Sequence, residues 1–237
     1  MAKSSVTALK SDQPVTIQRV DAYERLLEAI IFQDLESGSV LDEKQLVTRF
    51  GLGLASVRDA LQRLAIEGLV DRRARIGTMV PDLSLRELQD VFEARVELEG
   101  YCASLSAQRA EAEHITAMEQ AFTGFEAAMS RRDYRAIVSM DFKFHRALAA
   151  STLNRHVERQ AVLLHNHASR FWYFGLPRLE PSALVADIQS HLEVVDWIKK
   201  GDATAARDAM GKLLGHFPEN VRNFLNAGIN RKERNNE

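Results

Sequence analysis

Cysteine is almost absent: Cys102 is the only one in 237 residues. That excludes an intrachain disulfide, a cysteine-based zinc knuckle and a redox pair, so any metal must be held by histidine and carboxylate. Long apolar runs are missing too. None approaches the roughly 20 residues of a membrane-spanning helix, and the opening "MAKSSVTALKSDQPV" lacks a signal peptide's hydrophobic core. The expectation is a soluble globular protein of the cytoplasm with no membrane partner. Charge of one sign is not in excess. A formal net charge of −2 argues against a chain coated with nucleic acid but leaves room for a local basic face. Signatures of catalysis are absent as well: there is no nucleophile elbow, no His-Glu-x-x-His and no phosphate-cradling glycine loop. Gly51 and Gly53 are turn glycines before a helix and do not follow a strand, so no enzyme is expected. What is present is ample apolar content, 46% hydrophobic residues, enough for one large domain or two ordinary ones.

After about 16 polar residues that read as a flexible arm, Ile17, Val20, Tyr23, Leu27, Ile30 and Ile31 recur at helical spacing until "ESGSV". In "LDEKQLVTRFG", Asp42 is the expected N-cap and Gln45 its capping-box partner. Leu46, Val47 and Phe50 face inward and Gly51 closes the helix. "LASVRDALQRLAIEGLV" then sets Val57, Leu61, Leu64 and Ala65 on one face, with Gly68 as the C-terminal cap. Two short helices joined by a tight turn make a helix-turn-helix. "LVDRR", a turn at "ARIG" and "TMVP" read as a hairpin wing in which Gly77 is free to take a positive φ.

The exposed face of the third helix is expected to carry Ser56, Arg58, Asp59, Gln62 and Arg63, and the wing adds Arg72, Arg73 and Arg75. Long donors on a helix narrow enough for the major groove, beside a basic hairpin, suit duplex DNA. An ordinary solvated charged face is the plainer reading of the same residues. The stretch "GSVLDEKQLVTRFGLGLASVRDALQRLAIEGLVDRRARIGTMV" resembles the winged helix-turn-helix of GntR-family transcription regulators, and "SVRDAL", "LAIEGLV" and "GTMV" carry the likeness. It departs at the start of the reading helix. Where the family has Ser-Arg-Thr-Pro, this chain has Gly53, Leu54, Ala55 and Ser56. Of the family's DNA contacts, the resemblance leaves Lys44, Arg58 and the wing around Arg75 and Gly77. It implies an altered operator, with more of the affinity drawn from backbone contacts.

"PDLSLRELQ" marks a boundary: Pro81 interrupts, residues 82–84 link, and Ser84 with Glu87 forms a second capping box. The expected organisation is an arm over 1–16, a winged domain over 17–81, the linker, an all-helical antiparallel bundle over 85–226, and a polar tail over 227–237. Breaks near Ala110 to Glu113, Ser130 to Asp133, Ser151 to Asn154, "GLPRLEPS" and "KKGDA" divide the bundle into about six helices. Its apolar stripes contain polar residues. Leu88, Val91, Phe92, Arg95, Leu98, Glu99 and Cys102 form one stripe, where Arg95 either pairs with Glu99 one turn on or anchors a ligand carboxylate. Ile137, Asp141, Phe144, His145 and Leu148 form another, where Asp141 and His145 either pair with each other or share a metal. A third, Leu184, Ile188, His191, Val195 and Ile198, points another imidazole inward.

"ELQDVFEARVELEGYCASLSA", "DFKFHRALAASTLN" and "SHLEVVDWIKKGDATAARDAM" resemble the all-helical FCD effector domain of FadR-like GntR regulators. In metal-binding members an aspartate and three histidines hold a divalent ion, and Asp141, His145 and His191 match three of these ligands. The fourth position, about 22 residues after His191, is Leu213. A three-ligand Zn-like site remains possible, with His216, His165 or His167 as substitutes for the missing ligand. The resemblance also marks Asn154 and Arg170 as polar contacts beside Arg95 for a small-molecule effector, expected to be a carboxylic acid. Taken together, the reading is a homodimeric, ligand-responsive repressor. A metal-dependent enzyme and a ligand-independent dimeric scaffold are its alternatives.

Overall fold

The computed structural model describes residues 15–215, with side-chain surroundings from residue 21 onward. Residues 1–14 of the arm, the bundle's end near 226, the tail and His216 lie outside the described residues, as do the side chains of Ile17 and Val20; the arm's last two residues, Val15 and Thr16, already belong to a helix. The chain divides into two compact units between Pro81 and Asp82, with residues 31–33 grouped with the second.

In the first unit, α1 (Val15–Ile31) buries Tyr23, Leu26, Leu27 and Ile30, and its last residue, Ile31, is buried as well. A two-residue strand, β1 (Val40–Leu41), precedes α2 (Glu43–Phe50) and α3 (Leu54–Ile66). Asp42 caps α2 by accepting from the Gln45 amide at 2.8 Å, and Gly51 ends it in the left-handed region at φ 62°. Leu46 is buried, while Val47 and Phe50 are half-buried. The wing strands β2 (Asp71–Arg73) and β3 (Gly77–Met79) pair antiparallel, and β1 joins on the far side of β3 to give the order β1-β3-β2. The wing turn places Arg75 at φ 69° and Gly77 at φ 111°. Gly77 thus takes the positive φ expected of it.

The second unit is helical among the described residues. It consists of α4 (Leu85–Arg109), α5 (Ala112–Gln120), α6 (Phe125–Ser130), α7 (Tyr134–Ser151), α8 (Arg155–Gly175), α9 (Pro181–Lys199) and α10 (Ala203–Gly215), with a 3-10 turn at Leu176–Arg178. The expected breaks are all present, and one more falls at Ala121–Gly124, where Gly124 turns the chain at φ 88°. Among the described residues this makes seven helices, where about six were expected. The long α4 lies against α7, α8, α9 and α10, so the polar residues on its buried stripe face the middle of the bundle. Ser84 caps α4 by accepting from the Glu87 amide at 3.1 Å. The other half of that capping box is not formed as expected. The Glu87 carboxylate instead lies 3.4 Å from Arg170 Nη1 and 3.4 Å from His167 Nδ1, both on α8.

Candidate functional site

Four helices deliver polar side chains to one buried cluster. Helix α4 supplies Arg95 and Glu99, α7 supplies Asp141 and His145, α8 supplies His165 and Ser169, and α9 supplies Asp187 and His191. Within each pair the residues are four apart and therefore share a helical face. Arg95, Glu99, Asp141, His145, His165 and His191 are all buried, a concentration that requires internal compensation. It is found. Arg95 Nε lies 2.5 Å from Glu99 Oε1, and His145 Nδ1 lies 2.5 Å from Glu99 Oε2. Arg95 Nη2 approaches His165 Nδ1 at 3.2 Å and His145 Nε2 at 3.4 Å. With Phe92, Ala168 and Trp172, all of these side chains except Glu99 line a cavity that is partly open to solvent.

The charges are strongly coupled. Burial alone would raise the Glu99 carboxyl, but the Arg95 guanidinium and then the His145 imidazole outweigh it and hold it well below the usual carboxylate range. Burial is likewise overcome at Asp141, chiefly by His145 and then by His191. For His145, burial favours the neutral ring, yet Glu99 and Asp141 prevail and hold its pKa up at about 9. His165 goes the other way, pushed well below its ordinary value by burial and then by the charge of His145. A neutral His165 that accepts from Arg95 at Nδ1 carries its proton on Nε2, facing Ser169 Oγ at 3.3 Å and Asp141 Oδ2 at 3.5 Å. In that tautomer it steadies Arg95 and is no ligand through Nε2.

The fit to a metal can be tested on three distances. His145 Nε2 and His191 Nε2 are 3.3 Å apart, and Asp141 Oδ1 lies 3.6 Å from the first and 3.4 Å from the second. Donors bound at ~2.1 Å around a tetrahedral ion stand ~3.4 Å from one another, so these three atoms have the spacing of one tetrahedral face. Their outer partners also agree. His191 Nδ1 donates to the Asp187 carbonyl at 2.8 Å, leaving its Nε2 lone pair directed at the cluster, and Glu99 backs His145 at Nδ1. Leu213, buried on α10, offers no fourth donor. The residues present fit a divalent ion with three protein ligands and an open side.

In the first unit, α3 exposes Leu54, Ala55, Arg58, Asp59 and Gln62, and α2 exposes Lys44. Arg58 reaches back to Glu43 at 2.7 Å. Arg72, Arg73, Arg75 and Gly77 are exposed on the wing, where Arg73 pairs with Asp71 at 3.1 Å. Ser56 corrects an expectation. It is only 7% exposed, because at i, i+4 and i+8 it continues the buried edge Ser56, Ala60, Leu64. Arg63 is also more committed than expected. Its guanidinium lies 3.5 Å from the centre of the Tyr23 ring and its Nε 2.9 Å from Glu67, whose other oxygen accepts from the Tyr23 hydroxyl at 2.6 Å. That arrangement ties α3 to α1, and the cation–π part is worth about 0.5–1 kcal/mol.

Residues 18–80 match the profile described as bacterial regulatory proteins of the gntR family, and residues 90–216 match the FCD domain. The chain belongs to the GntR family. As a GntR regulator with an FCD domain it is a DNA-binding transcription regulator and not an enzyme. It is 24% identical over 223 residues to YdhC, an HTH-type transcriptional regulator of Bacillus subtilis, covering 92% of this chain and 97% of that protein. The HTH-type transcriptional repressor RspR of Escherichia coli is 24% identical over 216 residues, 91% of this chain and 92% of the relative. Among solved structures, E. coli McbR/YncC shares the fold with a TM-score of 0.78 at 16% identity, covering 88% of this chain and 98% of that one. No helix among the described residues is long and apolar enough to cross a membrane.

Two residues expected at the effector of this GntR regulator sit elsewhere. Asn154 is the N-cap of α8, its Oδ1 accepting from the His156 amide at 3.1 Å and the Val157 amide at 3.3 Å, so its side chain is engaged in opening that helix. Arg170 is fully buried beside Glu87 and is not among the residues lining the cavity. His167 joins that second group, two residues on and about 200° round the helix from His165. Conversely, Ser169, Trp172 and Asp187 line the cavity without having been singled out from the sequence. Asp187 carries the one available signal, since it stands four residues before His191 on α9.

Proposed function

We propose that this GntR regulator is a homodimeric cytoplasmic repressor that leaves a near-palindromic operator when a small carboxylate metabolite enters the helical domain. The winged domain is taken as 17–81 and the effector-binding and dimerisation domain as 85–226. The single observation that carries the sensor reading is the convergence of Asp141, His145 and His191 with Arg95 on one partly open, otherwise buried cavity. A divalent ion held by Asp141 Oδ1, His145 Nε2 and His191 Nε2 supplies a Lewis-acidic centre to which carboxylate oxygens can bind. Glu99 keeps both Arg95 and His145 aimed at the cavity. Arg95 offers the planar donor fork that a carboxylate matches, and His165 holds that fork in place. The walls contributed by Phe92 and Trp172 fit a small apolar portion of the effector. Repression is the role named for the relative RspR and suits DNA contacts that need two winged domains in register. In that reading Lys44, Arg58, Gln62, Arg73, Arg75 and Gly77 meet the operator.

Metal analysis of the purified full-length protein, together with thermal unfolding against a panel of small carboxylic acids with and without chelator, tests this. Near-stoichiometric Zn-like metal that is lost in His191→Ala, tighter retention in Leu213→His, and stabilisation by a carboxylate only without chelator are the expected outcomes. Full occupancy surviving His191→Ala removes the metal site. Indifference to every acid leaves a ligand-independent scaffold.

A further inference from the structure

The exposed face of α3 is polar through its middle, at Arg58, Asp59 and Gln62, and ends in the exposed Ile66, but its first turn, the end that leads into a groove, is apolar. Leu54 opens the helix 40% exposed, Ala55 beside it is exposed, and the preceding Gly53 supplies no side chain. Ser56, the one hydroxyl in that turn, is turned inward. In a helix-turn-helix protein the N-terminal residues of the second helix are those that approach base edges. An aliphatic group there cannot exchange hydrogen bonds with guanine, adenine or cytosine. The single apolar feature of the major groove is the thymine 5-methyl, and alkyl side chains are its partners.

We infer that Leu54, with Ala55 beside it, reads a thymine methyl in each half-site and is a specificity-determining residue of this regulator. The inference rests on the operator-binding reading above. Leu54 and Arg58 are four residues apart and so share a line along the helix. Arg58 is drawn toward α2 by Glu43 at 2.7 Å, which leaves the leading end of the helix to the apolar pair. The two contacts therefore divide the work: Arg58 contributes charge, and Leu54 selects the base.

The test begins with selection of preferred sites from random-sequence duplex DNA by the full-length protein. In the selected site each thymine is then replaced by deoxyuridine, which removes only the methyl group, and binding is followed by fluorescence anisotropy at fixed salt. One replacement per half-site removes two methyl groups and should weaken the wild type about 15-fold, about fourfold for each buried methyl-sized group. Leu54→Ala should be indifferent to that same replacement, whereas Arg58→Ala should bind both duplexes less tightly yet keep the preference for thymine. Wild type indifferent to every replacement, or Leu54→Ala retaining the full preference, overturns the inference while leaving operator binding intact. Failure to enrich any sequence overturns the operator reading and this inference with it. Because Leu54 is exposed, unchanged circular dichroism confirms that a lost preference reflects recognition.

Discussion

Near neutral pH the His145 imidazole is held protonated between Glu99 and Asp141, with its pKa up at about 9. A metal bound through His145 Nε2 must displace that proton, while Glu99 keeps the one on Nδ1 and Asp141 is already ionised. The sign follows directly: protons compete, so affinity rises with pH. One proton released per ion predicts about a tenfold gain in apparent affinity per pH unit between pH 6.5 and 8.5, flattening as pH passes about 9. Competition with a chromophoric chelator across that range measures it, and a flat profile would remove His145 from the ligand set. At this scale much of the site could be read from the sequence. Asp141, His145 and His191 stood out because each interrupts an apolar stripe. The choice between His165 and His167, two residues apart, depended on a helical phase that only the fold of α8 supplied. Asp187 acts on His191 partly through its backbone carbonyl, a role its side-chain type does not encode.

The elements followed local rules wherever a cap or break had its own chemistry. Asp42, Ser84 and Asn154 all accept from amides two or three residues on. Asn154 shows how such a rule displaces a functional expectation, since its carboxamide oxygen holds two amides of α8 and the residue does not line the cavity. Asn154→Ala should therefore lower the protein's stability by about 1 kcal/mol, with Asn154→Asp close to neutral. Urea unfolding checks the stability, and metal content and carboxylate binding should not change. A loss of ligand response at unchanged stability would return Asn154 to the cavity. What the sequence hid at this scale had weak periodicity. β1 is too short to show alternation, and its pairing of Val40 with Met79 is a long-range contact. The break at Ala121–Gly124 was masked because Phe122 and Phe125 carry the apolar pattern across the turn, leaving Gly124 as the lone signal.

For the whole molecule, the proposed control of DNA binding requires that two ligand equilibria share one change of state. A carboxylate can weaken operator binding only by favouring a dimer geometry in which the two reading helices no longer match the half-sites, and the coupling must then be reciprocal. Half-site spacing is the variable that exposes this. Inserting about 5 base pairs between the half-sites turns one of them to the opposite face of the duplex and should abolish dimeric binding. Inserting about 10 restores the face and should recover part of the affinity. With the original spacing, saturating carboxylate should weaken operator binding, and saturating operator should weaken carboxylate binding by the same factor, on the order of 5- to 150-fold. Electrophoretic shifts on the spaced duplexes and calorimetric titration of the acid with and without operator supply the two numbers. An operator that binds equally well at every spacing would mean independent winged domains. The effector would then have no shared geometry through which to act, however tightly the cavity held it.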